Sequence, residues 1–442
     1  MYFINKRTTE TLIMKVISFH RCQTRHNLQC SRNNIAIIFP KFQKGIRSFS
    51  RKYVRKISNT ENAISHTFLM QRLQSCKSIK EQFEVFDSYT KLTEADISLR
   101  QSVHQSVEES LKNHFPNCSV YLTGSTVSGL GLKGCDVDLS FQFLSNGSNQ
   151  CDFSKGIQEN SNSEYLKLPH KEKIKFLQNI LNESEITGAS KTISGRCPIV
   201  RFSCQNVTCD LSIDNKLALH STSFMLLCNM LDKRVAPLHR FLTYWAKSHK
   251  LIGGPFKFKT YAIFLLLLYF LQTRNPPVLP SVECMFERTG FNNNFNNWSY
   301  DISKHLEKFE DSKNSQCIDE LLREFFAFYT KFNFSNVICP LTNEIKRANE
   351  FLSKKETVDC KFPMNTISVQ DPLDPDWNAT SQVCLKFCDY FLKYLRLSYK
   401  AFNNDEIWLP IDGKWGVCYL FNDLSALQSS KRKINSKRIQ NG

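Results

Sequence analysis

The 442-residue sequence lacks an apolar run long enough to cross a bilayer as a helix. Its longest such run, Tyr261–Leu271, has 11 residues, whereas a transmembrane helix needs about 20. The 17 cysteines form no C-x-x-C pair, and their closest spacings are Cys204 with Cys209 and Cys384 with Cys388. These absences argue against stable membrane insertion, a disulfide scaffold and a structural zinc site, and they favour free thiols in a reducing compartment.

Acidic residues are nearly absent from the first sixty positions, which hold 13 Lys or Arg residues and the single acid Glu10. The end of the chain, 426–442, is also basic and is predicted to be disordered, so the formal charge of +17 belongs to the two ends. A basic, hydroxylated and acid-poor start is typical of an organelle transit peptide. We predict a disordered mitochondrial transit peptide over 1–55, cleaved near Arg47–Arg55. The alternative is a flexible basic arm that binds RNA.

Hydrophobic periodicity predicts a first lobe over 60–220 that begins with helices and continues with strands. Apolar residues alternate along Val137–Phe143, and a strand hairpin is predicted from Ile199–Cys204 and Thr208–Asp214. A polar loop rich in Asn and Ser is expected at 144–166.

The second lobe, 221–425, is predicted to be mainly helical. Its expected helices are at 222–231, 235–250, 259–272, 300–311, 317–331, 342–354 and 380–399. The fold class that follows is α+β, with a mixed sheet and flanking helices in the first lobe. A cleft between two such lobes is a common place for a site.

A Gly-Ser turn and three aspartates make up the chemical pattern. Gly124 and Ser125 follow a predicted strand, where backbone N–H groups and a hydroxyl can approach a phosphate. Asp136 and Asp138 are two residues apart on a strand, so their carboxylates point to one face and repel unless a cation lies between them. Asp210 lies in the later strand pair, and if that strand is adjacent, three carboxylates converge. Such a cluster suits hard divalent cations and a two-metal phosphoryl transfer.

The stretch Gly124–Asp138, GSTVSGLGLKGCDVD, resembles the signature of the DNA-polymerase-β-like nucleotidyltransferases. Within them it is similar to the RNA-specific poly(A) and poly(U) polymerases, and most to their mitochondrial branch. The resemblance covers most of 75–420. Supporting stretches are Cys209–Asn215 (CDLSIDN), Tyr244–His249 (YWAKSH), Phe270–Pro280 (FLQTRNPPVLP) and Lys414–Gly416 (KWG).

The resemblance implies a two-lobed nucleotidyltransferase whose second lobe is the poly(A)-polymerase-associated one. It further implies a template-independent adenylyltransferase that uses Mg²⁺ or Mn²⁺ and adds AMP from ATP to RNA 3′-hydroxyls in the mitochondrial matrix. Asp136 and Asp138 would hold both ions, and Asp210 would hold the ion that activates the 3′-hydroxyl.

The nucleotide contacts are carried over from the same resemblance. Gly124, Ser125 and Lys247 match triphosphate contacts, Ser221 and Thr222 match ribose and base contacts, and Thr260 and Tyr261 match a pair whose ring stacks on the base. Four of these residues have an ordinary structural alternative: a solvated lysine at 247, a helix N-cap at 221–222, and a core tyrosine with a satisfied hydroxyl at 261.

The chain departs from the family pattern at two positions that bear on the substrate. Thr243 stands where the family commonly has a second Lys or Arg, so Lys250 or Lys259 is the candidate substitute. Uridylyl-adding relatives often carry a histidine after the late Asp-Pro, whereas this chain has Trp377 there and no histidine after His305. That difference favours ATP over UTP.

Two further functions stay open at this point, a terminal uridylyltransferase and a catalytically silent RNA-binding adaptor. The expected partners are RNA 3′ ends and ATP, with a homodimer or an RNA-binding partner protein as further alternatives. Because the body is electrically neutral, RNA is expected to be held by a local basic groove together with the tail at 431–438.

Overall fold

The computed structural model describes residues 64–143, 165, 167–290, 306–349, 362–409, 413–422 and 424. The predicted transit peptide, the basic tail and nearly all of the predicted loop at 144–166 lie outside the described residues. The helices are α1 His66–Gln74, α2 Ile79–Thr90, α3 Glu94–Lys112, α4 Gly124–Ser128, α5 His170–Glu183, α6 Lys216–Leu231, α7 Val235–Ser248, α8 Thr260–Gln272, α9 Val282–Thr289, α10 Ile318–Lys331 and α11 Leu385–Phe402. The strands are β1 Cys118–Thr123, β2 Val137–Phe143, β3 Lys191–Ile193, β4 Ile199–Cys204, β5 Val207–Ile213, β6 Asn336–Cys339, β7 Glu344–Arg347, β8 Ser368–Asp371 and β9 Asp374–Asn378.

The first lobe is built on a mixed sheet in the order β1-β2-β5-β4-β3. Strands β2 and β5 run parallel, and the other pairs are antiparallel. Val103, Val107 and Leu111 of α3 and Ile174 and Leu177 of α5 are buried with the sheet in one core. The predicted strand at 137–143 and the α+β class are confirmed.

The β4–β5 hairpin turns at Gln205 and Asn206, whose φ angles are 48° and 63°. Positive φ at both central residues is the geometry of a two-residue turn that matches the twist of the flanking strands. Such a turn pairs residues at equal distances on either side of it, and Arg201 accordingly faces Asp210. The predicted hairpin is confirmed.

The second lobe is centred on α8, which is buried along nearly its whole length from Ala262 to Gln272. It also contains a four-stranded sheet in the order β7-β6-β8-β9, which the sequence interpretation missed. The predicted helix at 342–354 is wrong over Glu344–Arg347, which is strand β7, while residues 348–349 are helical. Strands of four or five residues are too short to show a period of two, and β7 is mostly charged, so hydrophobic patterning could not reveal it. In the described part of 300–311, residues 306–308 form a single 3₁₀ turn.

Helices α1 and α2 pack with the second lobe, although they precede the first lobe in the chain. Phe83 and Phe86 of α2 contact Phe241 of α7, with ring centroids 5.2 and 5.1 Å apart. The buried side chain of Gln82 donates to the Leu73 carbonyl at 2.9 Å and accepts from the Val417 N–H at 3.0 Å. The predicted division at residue 220 had placed these helices in the first lobe, since local periodicity carries no information about which core a helix joins.

Across the described residues, none of the helices combines the length and apolar character needed to cross a membrane.

Candidate active site

Three aspartates lie at one end of the parallel strand pair of the first lobe. Asp138 is on β2 and pairs in register with Asp210 on β5. Asp136 directly precedes β2, two residues before Asp138. Because neighbouring strands are about 4.8 Å apart, the register alone brings Asp138 and Asp210 together as the sequence predicted.

The Arg201 guanidinium bridges two of these carboxylates. Arg201 Nε donates to Asp210 Oδ1 at 2.6 Å, and Nη2 donates to Asp210 Oδ2 at 2.5 Å and to Asp136 Oδ2 at 3.1 Å. The positively charged guanidinium of Arg201 therefore lies between Asp136 and Asp210, and both carboxylates point towards it.

The cluster is short of positive charge even with Arg201 present. Burial raises the pKa of Asp138 to about 7, and the nearby charges of Asp210 and Asp136 act in the same direction. Burial also raises the pKa of Asp136, and Asp210 adds to the rise, while Arg201 and Lys247 oppose it. Crowded carboxylates whose pKa values rise are a site at which an added cation is stabilised.

Gly124 gives the carboxylate of Asp138 the room that it occupies. The φ angle of Gly124 is +68°, and a Cβ built there would collide with the Asp138 carboxyl group. Only a residue without a side chain fits both the left-handed backbone and this close approach. The Gly124 N–H donates to Thr222 Oγ1 at 2.8 Å, so the Gly-Ser turn is tied to α6. The Ser125 hydroxyl lies 3.5 Å from Cys135 Sγ.

Ser221 and Thr222 lie inside α6 and do not cap it. The N-cap is Asn215, whose side chain accepts from the Ala218 N–H at 3.0 Å, so the N-cap interpretation of 221–222 is wrong. Both hydroxyls donate to the Ala218 carbonyl, at 3.0 Å from Ser221 and 2.6 Å from Thr222. Thr222 is buried and braces the turn through Gly124. Ser221 is partly exposed on the same helix.

The donor chemistry of the cluster fits a hard divalent cation. Carboxylate oxygens are the preferred ligands of Mg²⁺ and Mn²⁺, and the bridge from Arg201 to Asp136 and Asp210 shows that these two side chains can share one cation. Among the described residues, no group of three or more His, Cys, Asp or Glu side chains is arranged to hold a metal ion as it stands. The Arg201 guanidinium lies against Asp136 and Asp210 in this arrangement.

The second lobe contributes Tyr261 and a buried carboxylate. The Tyr261 hydroxyl donates to Asp371 Oδ1 at 2.9 Å, and the Leu373 N–H donates to the same oxygen at 3.0 Å. Burial raises the pKa of Asp371 to about 6, against the opposing effect of those two hydrogen bonds. The ring of Tyr261 is thus held in a fixed position at the start of α8, beside Thr260, which is exposed.

The lysine and threonine of α7 lie in contrasting environments. Lys247 is exposed in the last turn, close enough to the cluster to lower the pKa of Asp136, although burial and Asp210 raise it more. Thr243 is buried, with its hydroxyl 3.4 Å from Nε2 of the His239 ring. Of the two candidate substitutes for the family's second cation, Lys259 is exposed directly before α8 and Lys250 is exposed just beyond α7.

Arg196 connects the two lobes. It lies between β3 and β4 of the first lobe, forms an ion pair with Asp374 of the second, and stacks its guanidinium carbon 4.2 Å from the ring centroid of Trp377. Trp377 is therefore covered by an arginine from the opposite lobe.

Sequence reasoning missed Arg201, Arg196 and Asp371. Arg201 could have been found, because the two-residue turn at 205–206 sets the register in which residue 201 faces residue 210. The contacts of Arg196 and Asp371 join segments more than a hundred residues apart in the chain. The sequence pattern alone does not predict these two contacts.

Two family models match the chain. The mitochondrial-like poly(A) RNA polymerase central palm domain matches residues 79–228, and the Cid1 family poly A polymerase model matches 317–377. A speckle targeted PIP5K1A-regulated poly(A) polymerase of Xenopus tropicalis is 25% identical over 378 residues, which are 74% of this chain and 44% of the relative. The mitochondrial poly(A) RNA polymerase of Homo sapiens is 27% identical over 428 residues, 90% of this chain and 69% of the relative.

Solved structures show the same fold. The crystal structure of mtPAP in complex with ATPγS superimposes with a TM-score of 0.70 at 24% identity and covers 82% of this chain and 76% of that one. Cid1, described as having RNA terminal uridylyl transferase activity, superimposes with a TM-score of 0.59 at 21% identity and covers 78% of this chain and 97% of that one. The chain spans under half the length of the frog relative. Over these segments, and in its two-lobed α+β fold with the aspartate cluster on β2 and β5, the chain is similar to nucleotidyltransferases of the poly(A) polymerase and Cid1 type.

Proposed function

We propose that the chain is a template-independent RNA nucleotidyltransferase that adds AMP from ATP to RNA 3′-hydroxyls. The observation that carries this proposal is the cluster of three aspartates: Asp138 pairs in register with Asp210, Arg201 bridges Asp210 and Asp136, and the Gly124 turn leaves room for the Asp138 carboxylate. The raised pKa values of Asp136 and Asp138 support a cation at this cluster. The similarity to two poly(A) polymerase family models supports the reaction class.

Each group of side chains at the site has a separate proposed role in the reaction. Asp136, Asp138 and Asp210 would hold Mg²⁺ or Mn²⁺, which would supply activation of the 3′-hydroxyl and neutralise charge on the phosphates. Lys247 adds a positive charge on the side of the second lobe. Tyr261, fixed through Asp371, offers its ring to the incoming base. Gly124 and Ser125 lie beside the carboxylates, where a triphosphate would meet the turn.

The choice of ATP is supported by the environment of Trp377. A tryptophan stacked under Arg196 has an indole N–H as its single polar group and cannot accept a hydrogen bond from the uracil edge. A neutral imidazole could do so, and the sequence after residue 305 contains no histidine. The uridylyl transferase alternative draws its support from the fold shared with Cid1.

Mitochondrial RNA is the proposed substrate, on the basis of the basic and acid-poor first sixty residues. The relatives do not decide the location, because they include both mitochondrial and speckle targeted poly(A) polymerases. Import of a fusion of residues 1–60 to a fluorescent protein into mitochondria would support the matrix location, and a nuclear or cytosolic signal would contradict it.

The proposed activity is tested with a labelled oligoribonucleotide, Mg²⁺ and each nucleoside triphosphate separately. We expect extension mainly with ATP. Asp138→Asn should reduce the rate by at least about 10³-fold, the scale expected when a group that stabilises transition-state charge is lost. Because Asn keeps the size of Asp, the thermal melting profile should stay cooperative.

Asp371→Asn is the matched control, since it changes a carboxylate of the second lobe that contacts Tyr261 and not the cluster. It should retain activity within about tenfold. Predominant incorporation of UMP would favour the uridylyl alternative. Absence of extension with any nucleotide, together with intact RNA binding, would favour the silent adaptor.

A further inference from the structure

A second concentration of charge lies outside the aspartate cluster, in a cavity of about 370 Å³ between the end of α7 and the start of α11. We call this cavity the lysine pocket. It is lined by four lysines, Lys250, Lys257, Lys386 and Lys393, and by the aromatic rings of His249, Phe387, Tyr390 and Tyr394. Among the described residues that line it there is no carboxylate. The body of the chain is balanced in charge, whereas the lining of this pocket carries four lysines.

One face of α11 supplies half of the lysine pocket. Lys386, Tyr390 and Lys393 are spaced i, i+4 and i+7, which places them in a row on one side of the helix, and all three are exposed. The opposite side, with Phe391 and Leu395, is buried in the core. Since packing of α11 is provided by the buried side, the exposed row of lysines and tyrosine is not required by the fold.

The walls of the pocket are held in place by contacts of the main chain and core. The Cys384 N–H, directly before α11, donates to the Phe256 carbonyl at 3.0 Å. Below it the buried ring of Phe258 packs 4.7 Å from the ring of Phe391. The loop between α7 and α8 and the start of α11 therefore form a preorganised pair of walls.

Inside the lysine pocket, lysine ammonium groups lie close to aromatic rings. Lys257 Nζ lies 5.0 Å from the ring centroid of Phe387, and Lys393 Nζ lies 5.7 Å from that of Tyr394. Tyr390 is 40% exposed, so part of its ring is accessible. A positively charged groove with interleaved aromatic rings is the arrangement that binds single-stranded nucleic acid, because phosphates meet the lysines and bases stack on the rings.

Lys250, which lines the pocket, lies three residues after Lys247 in the chain, and the charge of Lys247 acts on Asp136. Along α11, Lys386 and Lys393 are separated by roughly 10 Å of helix axis, with Tyr390 between them. Two lysines so far apart can contact different phosphates of one extended strand while a base stacks on Tyr390.

We propose that the lysine pocket binds the single-stranded RNA upstream of the reacting 3′ end, an inference that rests on the proposed function. The phosphates of the strand contact Lys250, Lys257, Lys386 and Lys393, and a base stacks on Tyr390. The pocket thus supplies the local basic groove that the neutral body requires for RNA affinity.

The test measures binding of a fluorescent 20-nucleotide RNA to the full chain by anisotropy over a range of salt concentrations. Each phosphate neutralised on a single strand contributes about −0.7 to the slope of log K against log salt. The double variant Lys386→Gln/Lys393→Gln should therefore reduce the magnitude of the slope by about 1.4 and weaken binding roughly tenfold or more at 0.1 M salt. Tyr390→Ala should weaken binding roughly tenfold with little change in slope, because it removes stacking and no charge.

The control is Lys171→Gln/Lys175→Gln, which removes two exposed charges from α5 of the first lobe, outside the pocket, and should leave both slope and affinity close to those of the wild type. Extension assays supply a second readout. With the 20-nucleotide primer, the pocket double variant should raise the KM for RNA and leave kcat unchanged. With a trinucleotide primer, too short to reach the pocket, it should behave as wild type.

Equal slopes for the two double variants would overturn the proposal. So would a raised KM for ATP at unchanged RNA affinity, which would identify the pocket as a nucleotide site. If the wild type extends no primer while its RNA binding still depends on the pocket, the proposed function fails and the binding site stands. If the wild type extends primers and the pocket variants bind RNA normally, the inference fails and the proposed function stands.

Discussion

Each lobe contains carboxylates whose pKa values are raised by burial. The two environments differ in the hydrogen-bond donors and charges that surround these carboxylates. On the first lobe, Asp136, Asp138 and Asp210 crowd together with Arg201 as the cation that bridges two of them. On the second lobe, Asp371 accepts hydrogen bonds from the Tyr261 hydroxyl and the Leu373 N–H, and the charges of Asp374 and Arg196 act on it in opposite directions.

This difference distinguishes a reactive site from a supporting one. Like charges brought together store repulsion that a bound cation relieves, so the first site gains free energy when an ion arrives. A single carboxylate with two donors gains little from any ligand, and its role is to fix the Tyr261 ring. Burial raises carboxylate pKa values at both sites; what differs is the number of charges and donors around each group.

Among the changes that test this comparison between the lobes, the largest effect is expected from filling the space that Gly124 leaves for Asp138. Gly124→Ala should reduce the extension rate by about 10²-fold or more, because the new Cβ meets the carboxylate and the backbone φ of +68° disfavours a side chain. Single-turnover incorporation of AMP measures it.

Gly188→Ala is the control, since a Cβ there meets Ser203 at an ordinary 3.6 Å. It should leave the rate unchanged. Wild-type activity of Gly124→Ala would mean that the position of Asp138 matters less than this comparison requires.

A smaller effect is expected when the cation of the first site is removed. Arg201→Gln should lower the free energy of unfolding in EDTA by about 1–2 kcal/mol, a value reduced for the partial exposure of the arginine. Mn²⁺ should then stabilise the variant more than the wild type, because the ion replaces the lost charge. Urea unfolding with and without Mn²⁺ measures both quantities.

Arg196→Gln removes a comparable arginine that pairs with Asp374 between the lobes. Its loss should cost no more than about 1 kcal/mol, as for an exposed ion pair, and should not alter the response to Mn²⁺. If Mn²⁺ raised the free energy of unfolding by the same amount in the wild type and in both variants, Arg201 would not be acting as the cation of the aspartate cluster.

The pH dependence of the free energy of unfolding should report the titration of Asp371, the buried carboxylate of the second lobe. Because burial raises the folded-state pKa of Asp371 to about 6, the folded protein retains a proton that the unfolded chain loses near pH 4. Stability therefore falls as the pH rises from about 4 through 6. Relative to Asp371→Asn, which does not titrate, the wild type should lose about 1–2 kcal/mol over this window, measured by urea unfolding at each pH.

Tyr261→Phe sharpens the same measurement. It removes a hydrogen bond that lowers the pKa of Asp371 against the larger effect of burial, so the loss of stability should extend to higher pH. An identical pH profile for the wild type, Asp371→Asn and Tyr261→Phe would contradict the assignment.

Local pattern was enough to predict the parts of the site that lie on regular strands. The alternation along 137–143 and the pair Asp136 and Asp138 follow from the period of a strand, and the proximity of Asp210 follows once its strand is adjacent. The resemblance in Gly124–Asp138 supplied the fold and the proposed chemistry, which patterning alone could not.

What remained hidden depends on contacts distant in sequence. The second sheet joins short strands from 336–347 and 368–378, none with a usable period. Arg196 reaches Asp374 across 178 positions of the chain. The N-cap interpretation of 221–222 was wrong because Asn215, six residues earlier, supplied a better cap.

The attachment of α1 and α2 to the far lobe means that the polypeptide crosses between the lobes twice. It passes from α2 into α3 after Thr90 and returns from β5 into α6 after Ile213. Two covalent connections restrict the relative motion of the lobes, and rotation about the line through the two crossings is the motion that they restrict least. A protease cut at one crossing would leave the other connection intact, and the hydrogen bonds of Gln82 to Leu73 and Val417 would keep the severed N-terminal segment bound.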